Sequence, residues 1–581
     1  MQSKTKNCQN CKKDFTIEPE DFNFYKKIKV PPPTWCPECR LVRRLIWRNE
    51  RALYKIPCAM CGESIFSMYH SRSPFPVYCL KCWYGDDWSP LDYGEEINWN
   101  KPFLEQVRDL MGKVPRAALW QTSTQNAEFA NFSRDNKDAY LSYSVIESEK
   151  VYYSKNTDNS EEIFDSLDIY KSEHCYEVNA GAHNYNCQHS LYIRNCIDSS
   201  FLFDCANCTN CFLCSNLRNK SYYFKNQKYS KEEYQNKIKE YSGSYRAISS
   251  AQKEFNELMQ DAIHKYAQIV ASSGSSGNDL ADCKNAKESF NGFEMENVKY
   301  VLRCLMTRDC MDITNIGRGT ELIYESVSGG AENSQNLKFI VNSPGESHNV
   351  EYTERFKSSF YLFGCAGLFS KNYCILNKQY TKEEYEALAP KIVEHMDAMP
   401  YIDQKGRIYK YGEFFPPEFT PFAYNETIAQ EYFPLTKTEA LGRGYQWKDN
   451  DERNFKIDIK STDLPDTIAG VDESIVGKVI ECEHKGACAE QCTEAFKIII
   501  PELQFYKRMN LPLPRLCPNC RHYQRFKQRN PLKLWHRSCM CDKDNHFHGK
   551  AKPCRNEFET PYAPDRPERV FCGSCYNKEI Y

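Results

Sequence analysis

Between residues 138 and 380 the chain alternates short apolar phrases with polar turns. The phrases include "AYLSYS", "KVYYSK", "EIFDSL" and "HCYEVN", and after a break "KYVLRC", "CMDITN", "ELIYES" and "LKFIVN". They recur about every 10 or 11 residues, and the turns between them are rich in Asn, Ser and Gly. This spacing predicts a mostly β chain whose middle is a β-solenoid of stacked short strands, with a β-sandwich as the alternative.

Both runs of phrases end on a helix start. The stretches "NQKYSKEEYQNKI" and "NKQYTKEEYEALAPKI" begin at residues 226 and 377. Ser230 with Glu233, and Thr381 with Glu384, have the spacing of a capping box. The pattern therefore predicts two homologous lobes, each closed by a helix.

Cysteine pairs with two intervening residues occur four times near the N-terminus. Two such pairs aim four thiolates at one tetrahedral ion, as in a structural zinc site. The chain has 30 cysteines, and its start, "MQSKTKNCQNCKKDF", lacks the apolar stretch of a secretory signal. We therefore expect a reducing, cytoplasmic setting and metal rather than disulfides. In sequence order the predicted zinc ligands are Cys8, Cys11, Cys36 and Cys39, then Cys58, Cys61, Cys79 and Cys82.

The C-terminal region repeats this plan, since "LQFYKRMNLPLPRLCPNC" corresponds to "FNFYKKIKVPPPTWCPEC". The pattern predicts four structural Zn²⁺ sites in all. The third is assigned to Cys492, Cys517 and Cys520, with either Cys482 or Cys488 as the fourth ligand. The fourth is assigned to Cys554, Cys572 and Cys575, with Cys541 favoured over Cys539, and with His546 or His548 as nitrogen alternatives.

A basic helix is predicted after the second cysteine pair of each half. In "WCPECRLVRRLIWRNER" the arginines share one side and the leucines the other, with Trp47 on the basic side. The predicted contact residues are Arg40, Arg43, Arg44, Trp47, Arg48 and Arg51, and in the C-terminal copy Arg521, Arg525 and Arg529. Arginines beside an aromatic ring suit phosphate contact with base stacking, so we expect binding of RNA, more than DNA, or of another polyanion.

Charge distribution offers an alternative for the same arginines. Residues 1–56 hold 13 Lys and Arg against 6 Asp and Glu, and residues 496–540 hold 10 against 1, although the net charge is only -2. The middle of the chain is therefore acidic. The basic stripe could equally dock on that acidic middle.

The run "CANCTNCFLC" places Cys205, Cys208, Cys211 and Cys214 three residues apart. This spacing is similar to that of iron–sulfur ligands. Cysteines recur through the same phrases, however, where a small apolar side chain fits a narrow core. We favour core packing over zinc or an iron–sulfur cluster.

Catalytic motifs are scarce: the sequence has no phosphate-binding loop, no H-E-x-x-H, no G-x-S-x-G and no dinucleotide fingerprint. The prediction is a non-catalytic protein. The alternatives are a protein-binding scaffold built on an aromatic-rich solenoid and, less favoured, a carbohydrate enzyme with scattered carboxylates. No apolar run is long enough to suggest a membrane span.

The phrases "CPECRLVRRLIWRNER", "NKQYTKEEYEAL", "FFPPEFTPFAYNETIAQEYFPL" and "ELQFYKRMNLPLPRLCPNCR" resemble an uncharacterised family of bacterial zinc-ribbon, or treble-clef, proteins found mainly in reduced-genome lineages. The resemblance implies zinc and a bacterial cytoplasmic origin, and it implies no catalytic residues. The predicted organisation is zinc modules at 1–95 and 476–581, a connector at 96–137, lobes at 138–229 and 278–380, a helical hairpin with linker at 230–277, a closing helix at 381–398 and a proline- and aromatic-rich arm at 399–475.

Overall fold

Two long ladders of mostly parallel strands form the middle of the protein in this computed structural model. The structure describes residues 2–316, 318–327, 333–343, 345–449, 454–543, 546 and 554–581. The first ladder consists of the strands Gln121–Thr122, Ser133–Arg134, Lys137–Tyr140, Tyr143–Ile146, Glu149–Tyr152, Lys155–Asp158, Glu161–Phe164, Leu167–Tyr170, Glu173–Ala182, Tyr185–Arg194, Ile197–Ala206, Thr209–Ser215, Ser221–Phe224 and Gln227–Lys228.

The second ladder follows a short helical segment. Its strands are Ile269–Val270, Gly277–Ala281, Lys284–Lys287, Ser289–Phe293, Glu296–Lys299, Leu302–Leu305, Thr307–Ile316, Thr320–Val327, Gln335–Val341, His348–Glu351, Phe360–Phe363, Asn372–Ile375 and Lys378–Gln379. In both ladders the last strand turns back and pairs antiparallel with the one before it. The chain is therefore mostly β, with large parallel sheets, as predicted.

Neighbouring strands are generally offset by twelve residues. Tyr143 pairs with Lys155, which pairs with Leu167, and in the second ladder Phe290 pairs with Leu302. The offset rises to thirteen where Thr307–Ile316 meets Thr320–Val327. The predicted spacing of about 10 or 11 residues is therefore wrong.

The backbone explains the longer offset. Residues with left-handed φ recur at every third position, as at Asp138, Leu141, Ser144 and Glu147. Asn and Asp, which are frequent at these corners, tolerate that conformation better than most residues. Because the left-handed positions recur every three residues, the common offset of twelve places them over one another in adjacent strands, which an offset of ten or eleven would not do.

The α-helices lie mostly outside the ladders. They are α1 Pro19–Ile28, α2 Pro37–Leu45, α3 Leu80–Trp83, α4 Phe103–Met111, α5 Lys231–Ile238, α6 Tyr245–Asp261, α7 Lys382–Ala398, α8 Ile428–Tyr432, α9 Lys437–Gly442, α10 Ile500–Arg508, α11 Pro518–Lys527 and α12 Gly573–Ile580. Ser230 and Thr381 cap α5 and α7, each through a capping box with the glutamate three residues on. Both predicted capping boxes are confirmed.

Small two-stranded sheets accompany the cysteine pairs. The antiparallel pairs are Lys4–Asn7 with Asp14–Ile17, Tyr54–Pro57 with Ser64–Ser67, Ile480–Glu481 with Ala495–Phe496, Trp535–Ser538 with Glu557–Thr560, and Tyr401–Ile402 with Ile408–Tyr409; the parallel pairs are Val77–Tyr78 with Arg116–Ala117 and Ile263–Lys265 with Arg569–Phe571. The aromatic segment that holds Phe414, Phe415 and Phe419 is buried in one apolar core with α2 and the second ladder.

The cysteine run of the first ladder is core. Cys205, Cys208, Cys211 and Cys214 are buried in one apolar cluster with Val, Ile and Leu side chains. Burial raises the pKa of Cys214 to about 12, which keeps its thiol protonated. The burial agrees with the predicted core packing, which stays a prediction for this run.

Serine and cysteine occupy equivalent places along the first ladder. The Sγ of Cys205 lies 3.4 Å from the carbonyl of Phe203 and 3.7 Å from that of Cys214. The Oγ of Ser154 lies 2.9 Å from the carbonyl two residues before it and 3.4 Å from the carbonyl nine residues after it, which are the same relative positions as those of the Cys205 partners. Each side chain thus bonds a backbone carbonyl two residues before it or nine residues after it.

Cys205→Ser is therefore expected to cost less than about 1.5 kcal/mol of folding free energy, because the hydroxyl finds the same carbonyl partners. The metal content of the purified chain should not change. Thermal unfolding together with elemental analysis checks both points. Loss of one metal equivalent in this variant would contradict the core assignment.

Candidate metal centres and the basic helices

Four groups of four cysteines are assembled near the chain ends. The members of each group place their Sγ atoms within 4.8 Å of one another, so each group could hold a metal ion. The groups are Cys8, Cys11, Cys36 and Cys39; Cys58, Cys61, Cys79 and Cys82; Cys482, Cys492, Cys517 and Cys520; and Cys539, Cys554, Cys572 and Cys575.

The third cysteine of every group is the N-cap of a helix. Cys36, Cys79, Cys517 and Cys572 precede α2, α3, α11 and α12. Each donates its backbone N–H, over 3.2 Å, to the sulfur of the first cysteine of its group. A helix N-terminus and a backbone donor both favour thiolate over thiol, as metal ligation requires.

The two N-terminal groups match the prediction, and the C-terminal pattern resolves two choices that the sequence left open. Cys482 and Cys539 accept the N–H bonds that Cys8 accepts in the first group. Cys488 lies outside its group of four, with its Sγ 3.7 Å from that of Cys520. The favoured Cys541 is likewise outside the fourth group.

One of the two nitrogen alternatives, His546, lies beside the fourth group. The Sγ of Cys541 lies 3.0 Å from Nδ1 of His546, and Nε2 of His546 lies 2.9 Å from Glu579. His546 therefore contacts Cys541 rather than standing among the four grouped cysteines. His548 lies outside the described residues.

In the second group, the surroundings of Cys58 favour its thiolate form. Burial raises the pKa of Cys58. Backbone N–H donors, among them those of Cys61 and Cys79, together lower it by more, so that the net pKa is about 6. Cys58 is therefore mostly ionised near neutral pH. A divalent ion would find this ligand already deprotonated.

The basic side of α2 is buried, contrary to the predicted exposed interface. Arg40, Arg43, Arg44 and Arg48 are 0–1% exposed, and Trp47 is 2% exposed. Nucleic acid cannot reach these side chains in this fold. The alternative, docking on the acidic middle of the same chain, is confirmed for α2 by its ion pairs.

Helix α2 docks on the second ladder. The Asp312 carboxylate lies 2.8 Å from Nε of Arg40 and 3.2 Å from Nη1 of Arg44. Arg43 reaches Glu325 over 2.8 Å and Glu413 over 3.0 Å. Burial lowers the pKa of Arg40, but Asp312, the neighbouring tyrosines and Glu325 together raise it by more, so its net pKa stands well above its ordinary value. These arginines are paired with carboxylates.

Helix α11 docks on the first ladder in the same manner. The Asp165 carboxylate lies 3.1 Å from Nη1 of Arg521 and 2.9 Å from Nη1 of Arg525. Arg529 reaches Asp168 over 3.1 Å. One aspartate thus bridges two arginines four residues apart at each site. The N-terminal module is held by the second ladder and the C-terminal module by the first.

The two ladders present equivalent faces to the helices. Asp165 and Asp312 occupy left-handed corners, and the corners of the next strands carry Glu177 and Glu325. The preceding corners carry Tyr153 under Arg521, at 4.8 Å, and Tyr300 under Arg40, at 5.4 Å.

Aromatic contacts extend the equivalence of the two docked helices. Tyr25 packs edge-on against Tyr324 with ring centroids 5.5 Å apart, and Tyr506 packs edge-on against Tyr176 at 6.0 Å. Sequence reasoning missed these partners. The signal was the pair "IFD" and "CYE" at 163 and 175, matched by "CMD" and "IYE" at 310 and 323.

A central ion network joins these parts. Nζ of Lys155 in the first ladder lies 2.6 Å from Glu50 and 2.5 Å from Glu431. Glu431 also lies 3.0 Å from Nε2 of His522 in α11 and 3.8 Å from Arg51. Burial and the neighbouring Arg51 lower the pKa of His522 to about 3, so its ring is neutral.

Glu50, in contrast, is ionised. Burial raises the pKa of Glu50. The nearby cations Lys155 and Arg48 together lower it by more, so that the net pKa is about 2. The network therefore joins Glu50 and Arg51 of the N-terminal end, Lys155 of the first ladder, Glu431 of α8 and the neutral ring of His522 from the C-terminal end. The predicted contact residue Arg51 is part of it and donates to Asn519 over 2.7 Å.

A cavity beside this network is small. Its volume is about 110 Å³, and its lining includes Glu50, Arg51, Glu426, Glu431 and Tyr523. Pockets for drug-sized ligands usually measure about 300–1,000 Å³. Glu50 and Glu431 already share Lys155. Within the described part of the chain, the carboxylate pairs seen at the docking faces are covered by arginine, so the geometry does not favour a carbohydrate-cleaving site there.

No family model and no curated protein matches the chain. Among solved structures, the chain is similar to the crystal structure of a "putative acetyltransferase from Desulfovibrio desulfuricans G20", with 12% sequence identity, a TM-score of 0.10, and coverage of 40% of this chain and 63% of that chain. A TM-score this low carries no argument. Among the described residues, none of the helices has the length and apolar composition needed to cross a bilayer.

Proposed function

We propose that this chain is a non-catalytic, zinc-dependent scaffold in which four zinc modules, each with four cysteine ligands, clamp two β-solenoids into one body. The observation that carries the proposal is that the arginines of both basic helices are buried and form ion pairs with carboxylates of the ladders. Asp312 and Asp165 each bridge two arginines for which the sequence alone left open a polyanion or the acidic middle of the chain. The arginines therefore act inside the molecule.

Zinc is the metal that these ligand sets suit best. Four thiolates in tetrahedral reach, without an open position, are the donor set of structural zinc. Sulfur atoms about 2.3 Å from one tetrahedral ion lie about 3.8 Å apart. The Sγ atoms of Cys11 and Cys36 are 3.8 Å apart, and those of Cys61 and Cys79 are 3.9 Å apart. Each ion would hold a segment too small to bury a core of its own.

The solenoid assignment is supported by the ladders. A twelve-residue offset with four left-handed corners lets each turn of chain cover the apolar row of the previous one. Val145, Ile163 and Cys175, all fully buried, belong to the apolar row enclosed by the first ladder. Such a body offers long outer faces and few deep clefts, which suits a protein partner.

One outer face of the first ladder carries exposed apolar side chains. Tyr185 is 45% exposed and Ile197 is 42% exposed, and the two residues are paired neighbours on adjacent strands. A protein partner would bury both. The proposed partner class is therefore another protein rather than RNA.

Binding assays with purified, zinc-loaded chain separate the two classes. We expect no measurable affinity for a labelled single-stranded RNA at about 50 mM salt, because the arginines of α2 and α11 are already paired with carboxylates. Binding driven by phosphate contacts would instead fall steeply with added salt.

Crosslinking in cells should recover a protein whose purified form binds the chain in high salt. Tyr185→Ala should weaken that complex, while Phe293→Ala, at an exposed site on the other ladder, should not. RNA binding that Arg43→Gln abolishes in the folded chain would overturn the proposal.

A further inference from the structure

A second group of metal-ligating side chains adjoins the third cysteine group. Nδ1 or Nε2 of His484, Sγ of Cys488, a carboxylate oxygen of Glu490 and Sγ of Cys520 all lie within 4.8 Å of one another. Cys520 belongs to both groups. His484, Cys488 and Glu490 come from the loop that connects the strands Ile480–Glu481 and Ala495–Phe496.

Two ligand atoms in this group are buried without a hydrogen bond. Nδ1 of His484 and Oε2 of Glu490 lie 3.1 Å apart, yet neither makes a hydrogen bond of acceptable geometry. The Glu490 side chain is only 9% exposed. Its other oxygen, Oε1, accepts a bond from Lys527 in α11. That bond leaves Oε2 directed at the histidine nitrogen. A cation bound between the buried carboxylate oxygen and the ring nitrogen would give each of them a partner.

The distances suit a tetrahedral ion. Sγ of Cys488 and Sγ of Cys520 are 3.7 Å apart. Ligands at zinc's usual bond lengths stand about 3.8 Å apart for two sulfurs and about 3.3 Å apart for nitrogen and oxygen. The sulfur pair and the nitrogen–oxygen pair both come close to these values. One thiolate, one imidazole, one carboxylate and one shared thiolate complete four positions.

We propose that the third centre is binuclear, with a fifth Zn²⁺ bound by His484, Cys488 and Glu490 and joined to the ion of the third cysteine group through the thiolate of Cys520. On binding, Cys488 releases its thiol proton to solvent and bonds the ion as thiolate. Two divalent ions, five thiolates and one carboxylate leave a net charge of -2. Without the fifth ion, one zinc ion, four thiolates, the neutral Cys488 thiol and the Glu490 carboxylate carry -3, so binding of the ion with release of one proton makes the module less negative by one.

This second ion is the more exchangeable of the two. His484 and Cys488 are partly exposed, whereas the other thiolates of the third group are buried. A bridging thiolate shares its electron density between two ions, so each Zn–S bond to Cys520 is weaker. A chelator should therefore remove the fifth ion before the ion of the third cysteine group.

Elemental analysis of the full chain and of single variants tests the proposal. The wild type should carry one zinc equivalent more than Cys488→Ser or Glu490→Gln. The matched control is Glu483→Gln, an exposed carboxylate in the same loop, which should keep the wild-type content. With a colorimetric chelator, the wild type should show a fast phase of one equivalent that both ligand variants lack.

The outcomes separate this proposal from the four-zinc scaffold on which it builds. Equal zinc content in the wild type, Cys488→Ser and Glu490→Gln would overturn the fifth ion and leave the four all-cysteine centres standing. Loss of two equivalents in Cys488→Ser would also overturn it, because Cys488 would then support the all-cysteine ion itself. Fewer than four equivalents in the wild type would overturn the scaffold proposal as well.

Discussion

Asp312→Ala is expected to lower the free energy of unfolding by about 3–5 kcal/mol, because breaking a buried ion pair leaves an uncompensated buried charge. Here two guanidinium groups lose their shared counter-charge, since Arg40 and Arg44 both bond Asp312 and both are fully buried. The loss should detach α2 from the second ladder. Chemical or thermal unfolding, followed by far-UV circular dichroism, measures the change.

Two further variants make this result specific. Asp165→Ala, the equivalent change under α11, should have a similar cost. Glu296→Ala, in the same ladder as Asp312, removes a carboxylate whose partner Lys284 is 69% exposed, and should cost less than about 1 kcal/mol. If Asp312→Ala unfolds at the same midpoint as Glu296→Ala, the ion pairs between Asp312 and α2 do not stabilise the fold.

Cys39→Ser is expected to remove one zinc equivalent and to release the N-terminal module from the ladder. Structural zinc contributes on the order of 10–16 kcal/mol of binding free energy to small modules, which is more than their own cores supply. Without the ion, the cysteine pair Cys36 and Cys39 no longer fixes the start of α2. The arginines of α2 then separate from Asp312, Glu325 and Glu413. This variant should have the largest effect of those considered.

Three measurements follow the release of the module. Elemental analysis gives the lost equivalent, and limited proteolysis detects cleavage within residues 1–57. Tryptophan fluorescence should shift to the red, because release of the module exposes Trp35 and Trp47, which are fully buried in the folded chain. Cys205→Ser, a core cysteine, serves as the control and should change none of the three. Full metal content in Cys39→Ser would contradict its assignment as a ligand.

The equivalence of the two docking faces gives the chain its organisation. Each terminal module contributes a helix whose arginines are four residues apart, and each ladder contributes one aspartate between them. Lys155, Glu50 and Glu431 then link the two docked halves at the centre. Because Glu431 contacts both Arg51 of the N-terminal end and His522 of the C-terminal end, unfolding of either end removes contacts that hold the other.

Local patterns predicted the local features well. The C-x2-C spacing located the N-terminal cysteine groups because two residues between cysteines set a tight turn, whatever surrounds it. Ser230 and Thr381 marked helix starts because a cap needs only its own first turn. The choice between Cys482 and Cys488 was less accessible, since it depends on which sulfur receives the N–H of Cys517, which is 35 residues from Cys482.

The sequence by itself determined the two N-terminal cysteine groups, the β character of the middle, the capped helices and the two-faced basic helices, because each depends mainly on local sequence patterns. Only the tertiary structure decided where those helices face. Periodicity shows that Arg40, Arg43 and Arg44 share a side of α2, but it cannot show whether that side meets water, phosphate or carboxylate. Asp312 lies 272 residues from Arg40, and a buried charge pair forms only when folding brings both partners together and removes the water between them.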